Sequence, residues 1–182
     1  MKIDPECLST ISSKTTMPKS VLSRVTKPTY VLGDLWEFHK RGFWVVVTTN
    51  IGWKANGDNV MGAGVALQAA RKFPQLPRYY GRLCKKYKDM LGVVIYDEGR
   101  LILAPTKRLD WKKPHLSWQA EADIGLVEQT IHQLAELARE ERFKIAMSYP
   151  GCGNGGLSPR EVKPLLDRYL SSRFVVVSKR SV

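Results

Sequence analysis

The sequence predicts a three-layer α/β/α domain, on three observations. Apolar runs that read as strands buried on both faces alternate with helical patterns, and two glycine-rich loops each lead from such a strand toward a helix. Of 182 residues, 43% are hydrophobic, enough to build one substantial core.

Residues 1–28 are rich in Ser, Thr, Lys and Pro without periodicity and carry Lys2, Lys14, Lys19, Arg24 and Lys27. They are expected to form a flexible basic N-terminal arm, with residues 29–182 as the folded domain. "TYVLGDLWEF" then reads as a strand ending at Gly33-Asp34, and "GFWVVVTTN" as a strand buried on both faces. Beyond the polar loop "IGWKANGDN", the positions Val65, Leu67, Ala69, Ala70 and Phe73 predict a helix over about residues 60–73, closed by Pro74 and Pro77. "PRYYGRLCKKYKD" suggests a second helix, and "LGVVIYDEGRLILAPTK" a hairpin turning at Asp97-Glu98-Gly99.

A long helix is expected over about 119–141, with Ile124, Val127, Ile131, Leu134 and Ala138 on one stripe and Ser117 as its N-cap. "FKIAMSYP" is another buried strand. After "GCGNGG", Ser158, Pro159 and Glu161 spell a capping box, while Pro164 predicts a kink or restart in the helix they open. "RFVVVSKR" closes the chain as a last strand.

The net charge of +12 and pI near 9.8 suit a polyanionic partner or substrate, although an ordinary basic surface accounts for them equally. Three widely spaced cysteines, Cys7, Cys84 and Cys152, argue against a disulfide framework and for a reducing compartment. His39, His115 and His132 lie too far apart for zinc-ligand spacing, so no metal is expected, nor a cofactor. The N-terminus lacks the apolar centre of a signal peptide, and no run approaches the roughly 20 apolar residues of a membrane span. A monomeric cytoplasmic protein without a membrane partner is expected.

The glycine loops "VMGAGVA" and "GCGNGG" carry the functional signal. In open α/β sheets, ligands bind outside the carboxyl ends of the strands, and glycines there let backbone N–H groups and helix N-termini touch an anion. Either loop alone is explained as well by a tight turn or close packing; two together point to a clamp on an extended anion such as a diphosphate. The GxxxxGK[ST] phosphate loop is absent, and GxGxxG fails because Gly62-Ala63-Gly64 runs into Val65-Ala66-Leu67.

Four separated pieces, "YVLGDLWE", "VVVTTN...NVMGAGVALQAARKFP", "LILAPTKR" and "YPGCGNGGLSPREVKPLL", together resemble the macrodomain family of ADP-ribose-binding α/β/α modules. In order and spacing they are most similar to the branch holding the terminal ADP-ribose–protein glycohydrolase and the antitoxin macrodomains that remove ADP-ribose from thymidine in DNA. The resemblance covers about residues 29–177 and implies a central mixed sheet. It implies that Asp34 bonds the adenine amino group and that Asn50 faces the distal ribose. Gly62, Ala63, Gly64 and Val65 would form the first phosphate-facing loop, and Gly151, Cys152, Gly153, Asn154 and Gly155 the second. Lys107 would act at the anomeric carbon of the distal ribose. The protein-deglycosylating enzyme carries a catalytic aspartate in its second loop where this chain has Gly155, which favours the DNA-directed type.

Cleaving a glycosidic bond at that carbon passes through an oxocarbenium-like state, so the site must steady positive charge and assist the leaving group. Lys107 would serve as a neutral nucleophile if its pKa were lowered by burial or by Arg108 beside it, or else as the acid. Cys152 reads as an acidified thiol at a helix N-terminus or, with greater weight, as a small buried spacer. Trp53 is a core aromatic or a stacking face. Trp111 and Trp118 flank "KKPHLS", a basic and aromatic composition suited to single-stranded DNA. The expected activity is an ADP-ribosyl hydrolase acting on a modified macromolecule, DNA favoured. A non-catalytic ADP-ribose-binding module and an enzyme for ADP-ribose-1″-phosphate stay open as alternatives.

Overall fold

In the computed structural model, residues 26–179 are described; most of the expected basic arm lies outside them. The strands are β1 (Thr29–Leu32), β2 (Trp44–Asn50), β3 (Val94–Tyr96), β4 (Leu101–Lys107), β5 (Ile145–Met147) and β6 (Phe174–Ser178). The helices are α1 (Leu35–Lys40), α2 (Gly64–Lys72), α3 (Leu76–Tyr87), α4 (Ile124–Glu141) and α5 (Pro159–Tyr169). The sheet order is β1-β6-β5-β2-β4-β3, parallel except for β3 against β4.

Successive residues of one strand serve opposite layers. Val45 and Val47 join Leu101, Leu103, Ala69, Leu76 and Tyr80 under α1, α2 and α3, whereas Val46 joins Ile102, Val127, Ile131 and Leu166 under α4 and α5. That is why β2 reads as an unbroken apolar run: both faces are covered. Burying each of these valines contributes about 1.5–3 kcal/mol, and together they fix the strand whose carboxyl end forms the site.

Several boundaries differ from the sequence reading. The stretch after β1 turns into α1, because the Asp34 side chain accepts the N–H of Trp36 and caps six helical residues. The helix expected over 60–73 starts only at Gly64, leaving Val60 to Ala63 as loop. The long helix starts at Ile124, not near 119, and its N-cap is Asp123, not Ser117. Asp123 accepts the N–H of Leu126 at 2.8 Å, while Ser117 is fully buried, accepting the N–H of Asp110 and donating to the carbonyl of Pro114. The capping box of Ser158 and Glu161 forms as expected.

No break occurs at Pro164; α5 runs through it. The hydrogen bond it cannot make would go to the carbonyl of Arg160, in the exposed first turn of the helix, where the break in the ladder faces solvent. Among the described residues, no helix is long and apolar enough to cross a membrane.

Candidate active site

Pro105 sits in a central strand, where it cannot donate to the ladder, and the β2–β4 register slips directly after it: Thr49 pairs with Pro105, but Asn50 pairs with Lys107. Thr106 is the extra residue of this bulge. Its hydroxyl donates to the carbonyl of Thr49, and its own carbonyl accepts the N–H of Asp123. The carbonyl of Pro105 is met by the hydroxyl of Thr130 on α4. The bulge thus keeps its backbone satisfied and sets Lys107 beside Asn50 at the carboxyl ends of two neighbouring strands.

Lys107 is only 8% exposed. Its Nζ donates to the carbonyl oxygens of Trp118 at 2.7 Å and Asn154 at 2.8 Å. Burial lowers its pKa from the ordinary 10.5. Arg108 plays no part in that shift: its guanidinium turns to Asp123, Nε to Oδ2 at 2.7 Å. Two of the three polar directions of the amine are used by carbonyls, so one remains, carrying a proton in the charged form and a lone pair in the neutral one.

Asn50 is fixed at both ends of its amide. Nδ2 donates to the carbonyl of Val60 at 2.8 Å, and Oδ1 accepts the N–H of Gly52 at 2.9 Å. Behind it stands Asn59, fully buried, whose Nδ2 donates to the carbonyls of Asn50 and Gly52. Its backbone N–H reaches the carbonyl of Pro77. Asn59 therefore staples the end of β2 to its loop and to α3. The sequence pattern does not single it out; the only signal is an uncharged polar residue three places before Gly62.

The two glycine loops face one cavity of about 290 Å³, lined by Asn50, Lys107, Trp118 and both loops. The glycines divide by role. A Cβ at Gly62, Gly64 or Gly153 would meet nothing within 4 Å, and Gly62 does not need a positive φ. A Cβ at Gly155 would come within 2.2 Å of the carbonyl of Gly151, and one at Gly151 within 2.7 Å of Leu157. Close packing explains Gly151 and Gly155; open space in front of the backbone explains Gly62.

At the head of α2 the N–H groups of Gly64, Val65 and Ala66 have no partner among the described residues, Ala63 supplies no side-chain cap, and the first turn has no acidic residue. In the second loop the N–H groups of Asn154 and Gly155 are likewise without partners, while Cys152 bridges to Leu157 and Gly156 and Leu157 bond back to Gly153 and Gly151. Donors of this kind, at a helix N-terminus and in a left-handed turn, make anion-binding concavities. Because β2 leads into the α2 layer and β5 into the α5 layer, the loops close on the cavity from opposite faces of the sheet.

Cys152 lines the cavity half-buried, and burial pushes its thiol up to about 11; it is not acidified. Asp34 lies outside the cavity lining, exposed at the end of β1. Trp53 is half-buried against the α2–α3 layer and bridges to Asn59. Trp118 is 40% exposed at the cavity, and Trp111 61% exposed beyond it.

A mixed sheet in this order, covered on both faces and clefted between the loops that follow β2 and β5, gives the chain the three-layer α/β/α fold found in macrodomains. It is similar in fold to the macrodomains of DarG proteins: the Thermus aquaticus DarG macrodomain matches with a TM-score of 0.64 and 29% identity over 85% of this chain and 99% of that one. The Thermosipho africanus DarTG structure in complex with ADP-ribose matches with a TM-score of 0.64 and 23% identity, over 87% of this chain and 44% of that one. In sequence, the chain is 32% identical over 125 residues to the DNA ADP-ribosyl glycohydrolase of Thermus aquaticus, 64% of this chain and 32% of that protein. The chain spans about a third of the length of the curated relatives it matches. No protein-family model matches the sequence.

Proposed function

We propose that the protein is an ADP-ribosyl hydrolase that releases ADP-ribose from modified DNA, with thymidine in a single strand as the favoured attachment. The observation that carries this reading is the Lys107 amine, held by two backbone carbonyls at the meeting point of two loops whose free N–H groups can receive a diphosphate. The DNA ADP-ribosyl glycohydrolase named among its relatives supports the choice of substrate.

Strand spacing supports the pose. With about 4.8 Å per strand, the ends of β1 and β4 stand roughly 19 Å apart, a span suited to extended ADP-ribose, with the adenine toward Asp34 and the distal ribose at Asn50 and Lys107. One Asp34 oxygen caps α1; the other serves the adenine amino group.

In the chemical step, the lone pair of neutral Lys107 forms a bond to the anomeric carbon as the bond to the base breaks. The departing base keeps that electron pair and receives the proton shed by the lysine. Ring opening gives a Schiff base, and water then releases ADP-ribose and restores the amine.

The test is release of ADP-ribose from a thymidine-ADP-ribosylated single-stranded oligonucleotide by the wild type and by Lys107→Ala. Release by the first and not the second is expected. Tight ADP-ribose binding without release from DNA, protein conjugates or the 1″-phosphate would make the protein a binding module.

A further inference from the structure

We infer that the segment between β4 and α4 is a docking strip for the DNA strand flanking the modified nucleotide, with Trp111 as a base-stacking face and Lys88, Lys112 and Lys113 as phosphate contacts. This rests on the hydrolase reading above and names how the same site takes hold of a polymer.

The strip begins at the cavity. Trp118, which lines it, is bound through its carbonyl to Lys107, so the chain leaving the reaction centre passes straight into this segment. Ser117 is buried and ties the segment back onto Asp110, while Gly52 lies so close to Pro114 and Ser117 that a Cβ there would fall within 2.0 Å of the Pro114 carbonyl. A segment seated this firmly has no need to expose an indole for its own folding.

Trp111 is nevertheless 61% exposed, and it is held in place. Its Nε1–H donates to Asp89 Oδ2 at 2.8 Å, and the Lys88 ammonium lies 5.1 Å from the ring centroid. Lys88 occupies φ 52°, a backbone region L side chains rarely adopt, in order to cap α3 and reach that ring. An ordered, exposed aromatic under a cation is the arrangement that unpaired bases stack on, because every base offers a π-face.

The charges agree. Lys112 and Lys113 are exposed with their backbone N–H groups both fixed by Asp110 Oδ1 at 2.9 Å. The carboxylates nearby are engaged: Asp110 with those N–H groups, Asp89 with Trp111 and the N–H of Leu109, and Asp123 with Arg108. Glu121 is the remaining acid of the segment. What faces solvent is an indole with the Lys88 ammonium over its ring and the exposed Lys112 and Lys113 next in the chain, a surface suited to an unpaired strand rather than to an apolar partner.

The experiment compares ADP-ribosylated thymidine nucleoside with the same thymidine inside a short single-stranded oligonucleotide, for the wild type, Trp111→Ala, Trp111→Phe and a Lys112→Ala, Lys113→Ala pair. The wild type should favour the oligonucleotide in kcat/KM. Trp111→Ala should lose about tenfold on the oligonucleotide and nothing on the nucleoside, with Trp111→Phe retaining most of the preference. The lysine pair should lower the salt slope of oligonucleotide binding by about 1.4. Unchanged oligonucleotide kinetics in every variant, or equal losses on both substrates, would overturn the strip. Should the wild type cleave neither substrate, the hydrolase reading has failed. Anisotropy with the unmodified oligonucleotide then decides the strip separately: weaker binding by Trp111→Ala upholds it, equal binding ends it.

Discussion

Asn50 and Lys107 stand opposite each other across the β2–β4 ladder only because the register shifts by one residue between Thr49 and Asn50. Without that shift Asn50 would pair with Thr106, and the lysine would lie one residue beyond the sheet's reactive edge. The shift follows the proline that cannot hold the ladder, so an element that weakens the sheet also builds the site.

Lys107→Met should abolish release while leaving ADP-ribose binding within a few-fold, a loss of about 10² or more in kcat. If the lysine forms a Schiff base with the opened ribose, cyanoborohydride added during turnover will fix ADP-ribose to Lys107, detectable by mass spectrometry. Turnover with no trapped adduct would remove the nucleophile from the scheme.

The pH dependence follows from the lowered amine pKa. Burial disfavours the proton, so the neutral form appears at lower pH than on an exposed lysine. Release should rise with pH through the depressed value and level off before the ordinary 10.5. A rate that falls over that interval would mean the ammonium, acting as acid, is the working form.

Gly62→Ala and Gly155→Ala should part company. The first adds a methyl to open space at an ordinary backbone angle, so the melting temperature should hold while calorimetry shows ADP-ribose binding weakened about tenfold or more. The second drives a Cβ to 2.2 Å from the carbonyl of Gly151 and should destabilise the fold itself. Equal melting temperatures for the two would contradict the division of roles between these glycines.

Asn59→Asp places a carboxylate against the carbonyls of Asn50 and Gly52, both of which now receive its amide protons. Loss of roughly 3 kcal/mol is expected in denaturant unfolding. A variant as stable as the wild type would show that β2 and its loop do not depend on this staple.

Cys152 should be a poor nucleophile. Moving the thiol from 9.0 to about 11 leaves about a hundredfold less thiolate at neutral pH, so alkylation should be slower than that of an exposed cysteine by about that factor. Bound ADP-ribose should slow it further, since the residue lines the cavity. Rapid labelling at neutral pH would reverse the assignment of this residue as a spacer.

Much of this architecture could be read from the residues. Val45, Val46 and Val47 announce a strand covered on both sides, and Ser158-Pro159-x-Glu161 announces the head of α5, because each pattern depends on local chemistry alone. The glycine loops were legible as a pair, though not the separation of Gly62 from Gly155, which depends on what lies opposite each in space. What local pattern misses is tertiary: α1 is six residues long, too short for its period to show beside the strand before it. Ser117 and Asp123 are both good caps, and packing of the 109–119 segment takes the first, leaving the second for α4. Asn59 carries no pattern, since its partners are two carbonyls seven and nine residues earlier.

From Pro105 on, the β4 carbonyls of Pro105 and Thr106 are met by Thr130 and Asp123, so the end of the strand answers to helix α4 as much as to the sheet. Amide exchange at the end of β4 should therefore follow the opening of α4, not the slower opening of the central ladder. Random mutagenesis screened for activity would then recover hits along the buried stripe of α4, at positions such as Ile131 or Leu134, that never touch the ligand and yet displace the lysine.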